Sequence, residues 1–186
     1  HRTSRRQRQM CIRDSSAPVV LEYDYSDEEL IFLMVHARNE FARWDSGQML
    51  LAKYIRSNVE AVQNGQDVEL SPALIDAFRG VLLSDKLEPA FIAEMMALPN
   101  HNEVSGWYKQ VDVDAVAKVL KSIKVKLAAE LEDEFSALYH SLKQAEYTID
   151  HAAIGKRSLR NTALAYLAYT EQGNELAEKQ YFDANN

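Results

Sequence analysis

The residues of this chain with chemistry to offer are five histidines, one cysteine, an acidic run and a basic cluster. The histidines are His1, His36, His101, His140 and His151, and no two are four residues apart. A helix of the H-E-x-x-H type holds a metal because that spacing puts two imidazoles on one face with a carboxylate between them. The motif is absent here, so metal-assisted hydrolysis has no obvious centre. His36, in VHARNEF, ends an apolar turn and is followed by Arg38, Glu40 and Arg43; it reads as a packed or capping histidine. His140 and His151 fall in different predicted helices with no carboxylate motif beside them, which makes a shared metal the weaker reading. Cys11 has no second cysteine to pair with, so nothing requires an oxidising compartment. Its place in the leader assigns it no role.

Glu130, Glu132, Asp133 and Glu134 supply carboxylates, but acid-base pairs need a cleft that pushes their pKa values apart. On an exposed helix face such a run is solvated charge. Lys156, Arg157 and Arg160 form the basic cluster of an otherwise acidic body. They could hold a carboxylate such as a peptide C-terminus. The reading favoured here is structural: Lys156 and Arg160 lie one helical turn apart beside an apolar stripe, where stems lie along the core and heads pair with acidic neighbours. Trp44, Trp107 and Phe135, at helical spacing, read as helix-contact residues.

The elements that must carry these groups are helical. With 47% hydrophobic and 26% charged residues the chain is globular in composition. Its apolar runs, Leu30 to Val35 among them, are far short of the roughly 18 residues of a membrane span. Five arginines and one aspartate fall in residues 1–15, so of 21 basic and 28 acidic residues the body keeps 16 and 27, a net charge of −11. A surface of that sign repels nucleic acid. The leader HRTSRRQRQMCIRDS has no periodicity or capping signal and is read as a non-native tail rather than an RNA-binding arm or a transit peptide.

Ala17 to Tyr25 alternates like a strand, with Pro18 at its start. At Ser26 the period changes. Ser26 and Glu29 make a capping box, Tyr25 can staple onto Leu30, and the first helix is expected from Asp27 to about Arg38. A second is expected from about Glu40 to Asn64, with Phe41, Trp44, Leu51, Ile55 and Val62 near one face, Gly47 inside and Gly65 as its stop. Ser71-Pro72 opens a third helix, on which Leu74, Phe78 and Leu82 face one way, and Glu88-Pro89 opens a short fourth. Asn102 to Lys109 is another turn or two. From Val113 to Ala145, Val116, Leu120, Ile123, Leu127, Leu131, Phe135, Leu138 and Leu142 step by three or four, which predicts one long amphipathic helix with its lysines ahead of its acids, against the dipole. Ile149, Ala152, Leu159, Ala163, Tyr166 and Leu167 form a last broad stripe, with Gly173 at a left-handed C-cap and a further helix from Asn174 to Ala184. The fold class is all-α: a layered array of antiparallel helical hairpins, solenoid-like, preceded by one short orphan strand.

The stretches LEYDYSDEELIFLMVHARNEFARWDSGQMLLAKYI, GKRSLRNTALAYLA and EKQYFDANN resemble, collinearly from about Ser16 to Asn186, the C-terminal helical domain of the aminopeptidase N family, the bacterial alanyl aminopeptidases. The resemblance implies zinc peptidases that remove N-terminal residues from peptides with an H-E-x-x-H helix, a more distant Glu and a G-x-M-E-N loop. Neither motif is in this chain. It implies residues 1–15 as leader, 16–25 as the last strand of a preceding β-sandwich, and 26–186 as a helical domain cut at its C-terminal end. The expected role is to pack on the catalytic domain of the same polypeptide and bound the cavity that peptide substrates enter. No catalytic residue, metal ligand or substrate-binding residue is assigned to this chain; zinc belongs to the parent enzyme. A cytoplasmic location, no membrane or nucleic-acid partner, and self-association of the isolated chain complete the expectations. The alternative is a free-standing helical protein-interaction module.

Overall fold

The computed structural model describes residues 23–144 and 147–183. Among them are nine helices and no strand: α1 (Asp27–His36), α2 (Glu40–Gln63), α3 (Pro72–Leu82), α4 (Pro89–Met95), α5 (His101–Ser105), α6 (Val113–Glu130), α7 (Glu132–Ser141), α8 (His151–Leu167) and α9 (Glu171–Asp183). The expected strand lies outside the described residues as far as Glu22, and Tyr23 to Tyr25 run in neither helix nor strand.

Most helices begin where a short polar side chain can take up orphan amides. Ser26 Oγ accepts from Glu29 N at 3.2 Å while the Glu29 carboxylate accepts from Ser26 N at 3.2 Å, a complete capping box. Tyr25 and Leu30 are both buried in the same core, as the staple requires. Asn39 caps α2 and Ser71 caps α3, where Pro72 fills the first helical position without forfeiting a donor. Asn100 and Glu103 close a second capping box on α5; Trp107 and Tyr108 follow that helix rather than ride on it. Asp112 and Asp150 cap α6 and α8. At the end of α2, Gly65 takes a φ of 76°. Its N–H donates to Val62 O at 3.0 Å and the Gln66 N–H to Ala61 O at 2.8 Å, the paired bonds of a left-handed glycine stop.

The α1–α2 hairpin packs its buried Leu30 and Met34 against α2, and α1 also meets α3. On its other side α2 meets α6, and α8 is the hub, touching α4, α6, α7 and α9. Gly155 lets α8 approach α4 closely: a Cβ there would stand 3.1 Å from Ala90 N. Phe135 of α7 lies flat on Tyr166 of α8, ring centroids 4.6 Å apart and planes 7° apart.

Several expectations are corrected. The long helix from Val113 is two helices that part at Leu131. The acidic run thereby becomes the first turn of α7, where negative charge faces the positive end of the dipole, so the apparent conflict between charges and dipole disappears. Helix α1 ends at His36, two residues early, because Ala37 turns extended. Gly173 is not a C-cap: it lies inside α9 and is buried against the end of α8, where a Cβ would fall 1.7 Å from Leu167 O. Ile149 is 78% exposed and Ala152 is exposed; Ala153 and Gly155 take the inward positions. Phe41 is 68% exposed, off the buried face formed by Leu50, Leu51 and Ile55.

Candidate functional site

The basic cluster is the first place to look for a ligand, and its two arginines are already engaged. Arg157 Nη1 donates to Thr148 O at 2.7 Å and to Gln144 Oε1 at 3.1 Å, with the guanidinium 4.6 Å from the Tyr147 ring centroid. Arg160 Nε donates to Tyr139 O at 3.1 Å and its guanidinium lies 4.2 Å from the same residue's ring. Both side chains thus close the α7–α8 junction. The acidic partners expected for this cluster are not the ones the two arginines find, which are carbonyl oxygens and aromatic faces. Lys156 is exposed.

The acidic run does not converge into a cleft. Of its members, Glu134 accepts from Arg79 Nε at 2.7 Å across from α3. His36 is exposed and tilts against Phe32, centroids 5.0 Å apart, in the last turn of α1. His140 is exposed, and the exposed His151 faces Glu88 with 3.4 Å between Nε2 and Oε2. Among the described residues no three His, Cys, Asp or Glu side chains are placed to hold one metal ion. No helix among them is long and apolar enough to cross a membrane.

Two open grooves have mixed polar and apolar linings. The larger, about 640 Å³, runs beside Tyr54, Asn58, Asp67, Glu69 and Ser71. Tyr54 donates its hydroxyl to Ser71 Oγ at 2.5 Å, the same oxygen that caps α3. A smaller one, about 380 Å³, lies between α7 and α9 beside Ser136, His140 and Lys179. What the surface does offer is aromatic. Phe41 and Trp44 stand 6.0 Å apart and Phe32 is 62% exposed, so three large rings face outward on the α1–α2 hairpin. Tyr181 and Phe182 do the same on α9. Trp107, by contrast, is partly buried beneath Arg56, 5.3 Å from its guanidinium, and Phe135 is fully buried.

Two positions that matter for the architecture, Asn58 and Tyr139, escaped sequence reasoning, and at a third, Tyr166, only the apolar stripe was read and not the hydroxyl's partner. Asn58 is buried and clamps the segment before α3 through Glu69. Tyr166, buried in α8, donates its hydroxyl to Met96 O at 2.7 Å, and burial pushes its phenol far above the usual tyrosine range. Tyr139 donates to Gln180 Oε1 at 3.0 Å. Polarity inside an apolar stripe at positions 58, 139 and 166 was the available signal.

An array of capped helices stacked on a shared hub is an architecture of the helical-repeat class. The chain belongs to the family described as "Domain of unknown function (DUF3458_C) ARM repeats", which it matches over residues 27–186. It is 47% identical over 173 residues to aminopeptidase N of Escherichia coli, covering 92% of this chain and 20% of that protein. Aminopeptidase N of Haemophilus influenzae is 36% identical over 173 residues, 93% of this chain and 20% of its own length. The crystal structure of Legionella pneumophila aminopeptidase A in complex with aspartic acid superposes with a TM-score of 0.76 at 25% identity, over 91% of this chain and 20% of that one. The chain therefore spans about a fifth of the length of these relatives.

Proposed function

We propose that this chain is the C-terminal helical part of a zinc-dependent aminopeptidase that removes N-terminal residues from peptides. In this reading it packs on the catalytic domain of the same polypeptide, bounds the cavity that peptides enter, and supplies no catalytic residue or metal ligand. The observation that carries the reading is the collinear identity to aminopeptidase N over nine-tenths of the chain. Outward-facing Phe32, Phe41 and Trp44 support it, since large exposed rings are what interfaces use as anchors.

The experiment is a graft. Residues 16–186 replace the matching segment of the E. coli enzyme, and the isolated chain is purified alongside. The hybrid is expected to cleave an alanine anilide and to retain zinc, while the isolated chain does neither. One zinc held per isolated chain, chelator-sensitive peptidase activity in it, or a folded, zinc-loaded hybrid without activity would each overturn the proposal.

A further inference from the structure

We propose that α6 and α7 are one conditional helix, bent at Leu131 because Arg79 of α3 holds it bent. Nothing in the local sequence breaks the helix: between Val113 and Gln144 there is no proline and no glycine, and the apolar steps run unbroken through Leu127, Leu131 and Phe135. Kinks without proline or glycine arise at π-bulges or where a side chain or water inserts into the hydrogen-bond ladder. Leu131 sits at φ −121° and ψ 23°. Its N–H still donates to Leu127 O at 3.1 Å, and the Phe135 N–H donates to Leu131 O at 2.9 Å. What the bend interrupts is the set of bonds between. Helix α6 ends at Glu130 and α7 starts at Glu132 with no side-chain cap, so the helix is broken across Leu131 with nothing from the sequence nearby to take up its first turn.

Arg79 stands at that interruption. In a continuous helix the Glu130 carbonyl would accept from the Glu134 N–H. Here Arg79 Nη2 donates to that carbonyl at 3.1 Å, while Nε donates to the carboxylate of the same Glu134 at 2.7 Å. The guanidinium thus takes the acceptor of that ladder bond and, separately, the side chain of the residue that would have been its donor, and Nη1 is anchored on its own helix by Asp76 Oδ1 at 2.5 Å. A planar fork of fixed donors suits this bridging; a lysine ammonium on a flexible stem does not. The bend in turn delivers Phe135 to Tyr166 and Tyr139 to Arg160 and Gln180, so a contact made by α3 sets how α7 meets α8 and α9.

The sign of one measurement separates this from ordinary packing. Amide exchange is followed residue by residue in the full chain and in Arg79→Met. If the bend is imposed, releasing it returns carbonyl acceptors to the amides of residues 132–134, and their exchange slows by about an order of magnitude, the worth of one net hydrogen bond, while Tyr139 and Tyr166 lose protection. If Arg79 merely adds stability, residues 132–134 exchange faster or unchanged along with the rest of α7, and the proposal is overturned. Glu134→Gln, which keeps an acceptor but drops the charge, is expected to move the same amides in the same direction by a smaller factor and keeps the test decisive should Arg79→Met fail to fold. Unmoved amides in that variant, with the methionine variant unfolded, count against the proposal. Arg79→Lys is expected to behave like the methionine variant, and wild-type exchange in it would equally refute the bridging role.

Discussion

Replacing Asn58 with alanine is expected to cost about 2 kcal/mol, and the structure says why. Asn58 is 5% exposed, in the penultimate turns of α2. Its Nδ2 donates to Tyr54 O at 2.8 Å and to Glu69 O at 3.0 Å, and its Oδ1 accepts from Glu69 N at 2.7 Å. Alanine leaves the Tyr54 carbonyl with its place in the helix ladder but strips both backbone groups of Glu69. Each orphaned group costs roughly 1–3 kcal/mol when fully buried. Glu69 is an exposed residue, so water can replace part of the loss and the total falls near the low end of the sum. The neighbouring Val68, 3% exposed, is seated in the core by the same clamp and loosens with it. For a domain of this size the expected drop in thermal midpoint is about 4–8 °C, measurable by circular dichroism and by urea titration with an unchanged slope. Asn58→Asp is expected to be worse than alanine at neutral pH, because it turns a carboxylate on two carbonyl oxygens. An alanine variant within about 0.5 kcal/mol of the parent, the scatter of a neutral surface change, would refute the clamp.

Further outcomes follow from single residues. Ser26→Ala removes the capping box of α1 and is expected to cost about 0.5–2 kcal/mol; an unchanged urea midpoint refutes it. The tyrosines Tyr166 and Tyr108 should diverge. Tyr166→Phe loses the bond to Met96 O and should destabilise by about 1 kcal/mol, whereas the Tyr108 hydroxyl is buried without a partner among the described residues, so Tyr108→Phe should be neutral or stabilising. Calorimetry on the pair checks the opposite signs. Gly173→Ala drives a methyl into Leu167 O and is expected to cost about 3 kcal/mol or more by overpacking; a midpoint within a degree of the parent contradicts that contact. Finally, Asp112 and Asp150 are held below the ordinary carboxylate range, the first chiefly by the Ala115 N–H and then Gln63, the second chiefly by the Thr148 hydroxyl and then the Ala153 N–H. A depressed folded pKa means stability that is whole above about pH 4 and is lost as pH falls through the lower folded value. The gap in urea stability between the parent and an Asp112→Asn, Asp150→Asn variant should therefore narrow below about pH 4, and a gap constant down to pH 2 would contradict it.

What could be read from residues alone was whatever is decided within one helical turn. Capping at Ser26 and Ser71-Pro72, the proline-marked helix start at Glu88-Pro89, the glycine stop at Gly65, and the apolar steps of α3 and α6 depend on partners no more than three or four positions away, and each stands in the structure where the sequence put it. The absence of an H-E-x-x-H motif is likewise a one-dimensional fact. The tertiary structure alone decided the break at Leu131, which answers to Arg79 some fifty residues earlier, and the partners of Arg157 and Arg160, which include backbone oxygens that no side-chain pattern announces. It also decided which rings of an aromatic-rich hairpin turn outward and why Gly173 must be glycine, since both depend on how neighbouring helices approach. Local hydrogen bonding writes itself into sequence at short spacing; the meeting of distant surfaces does not.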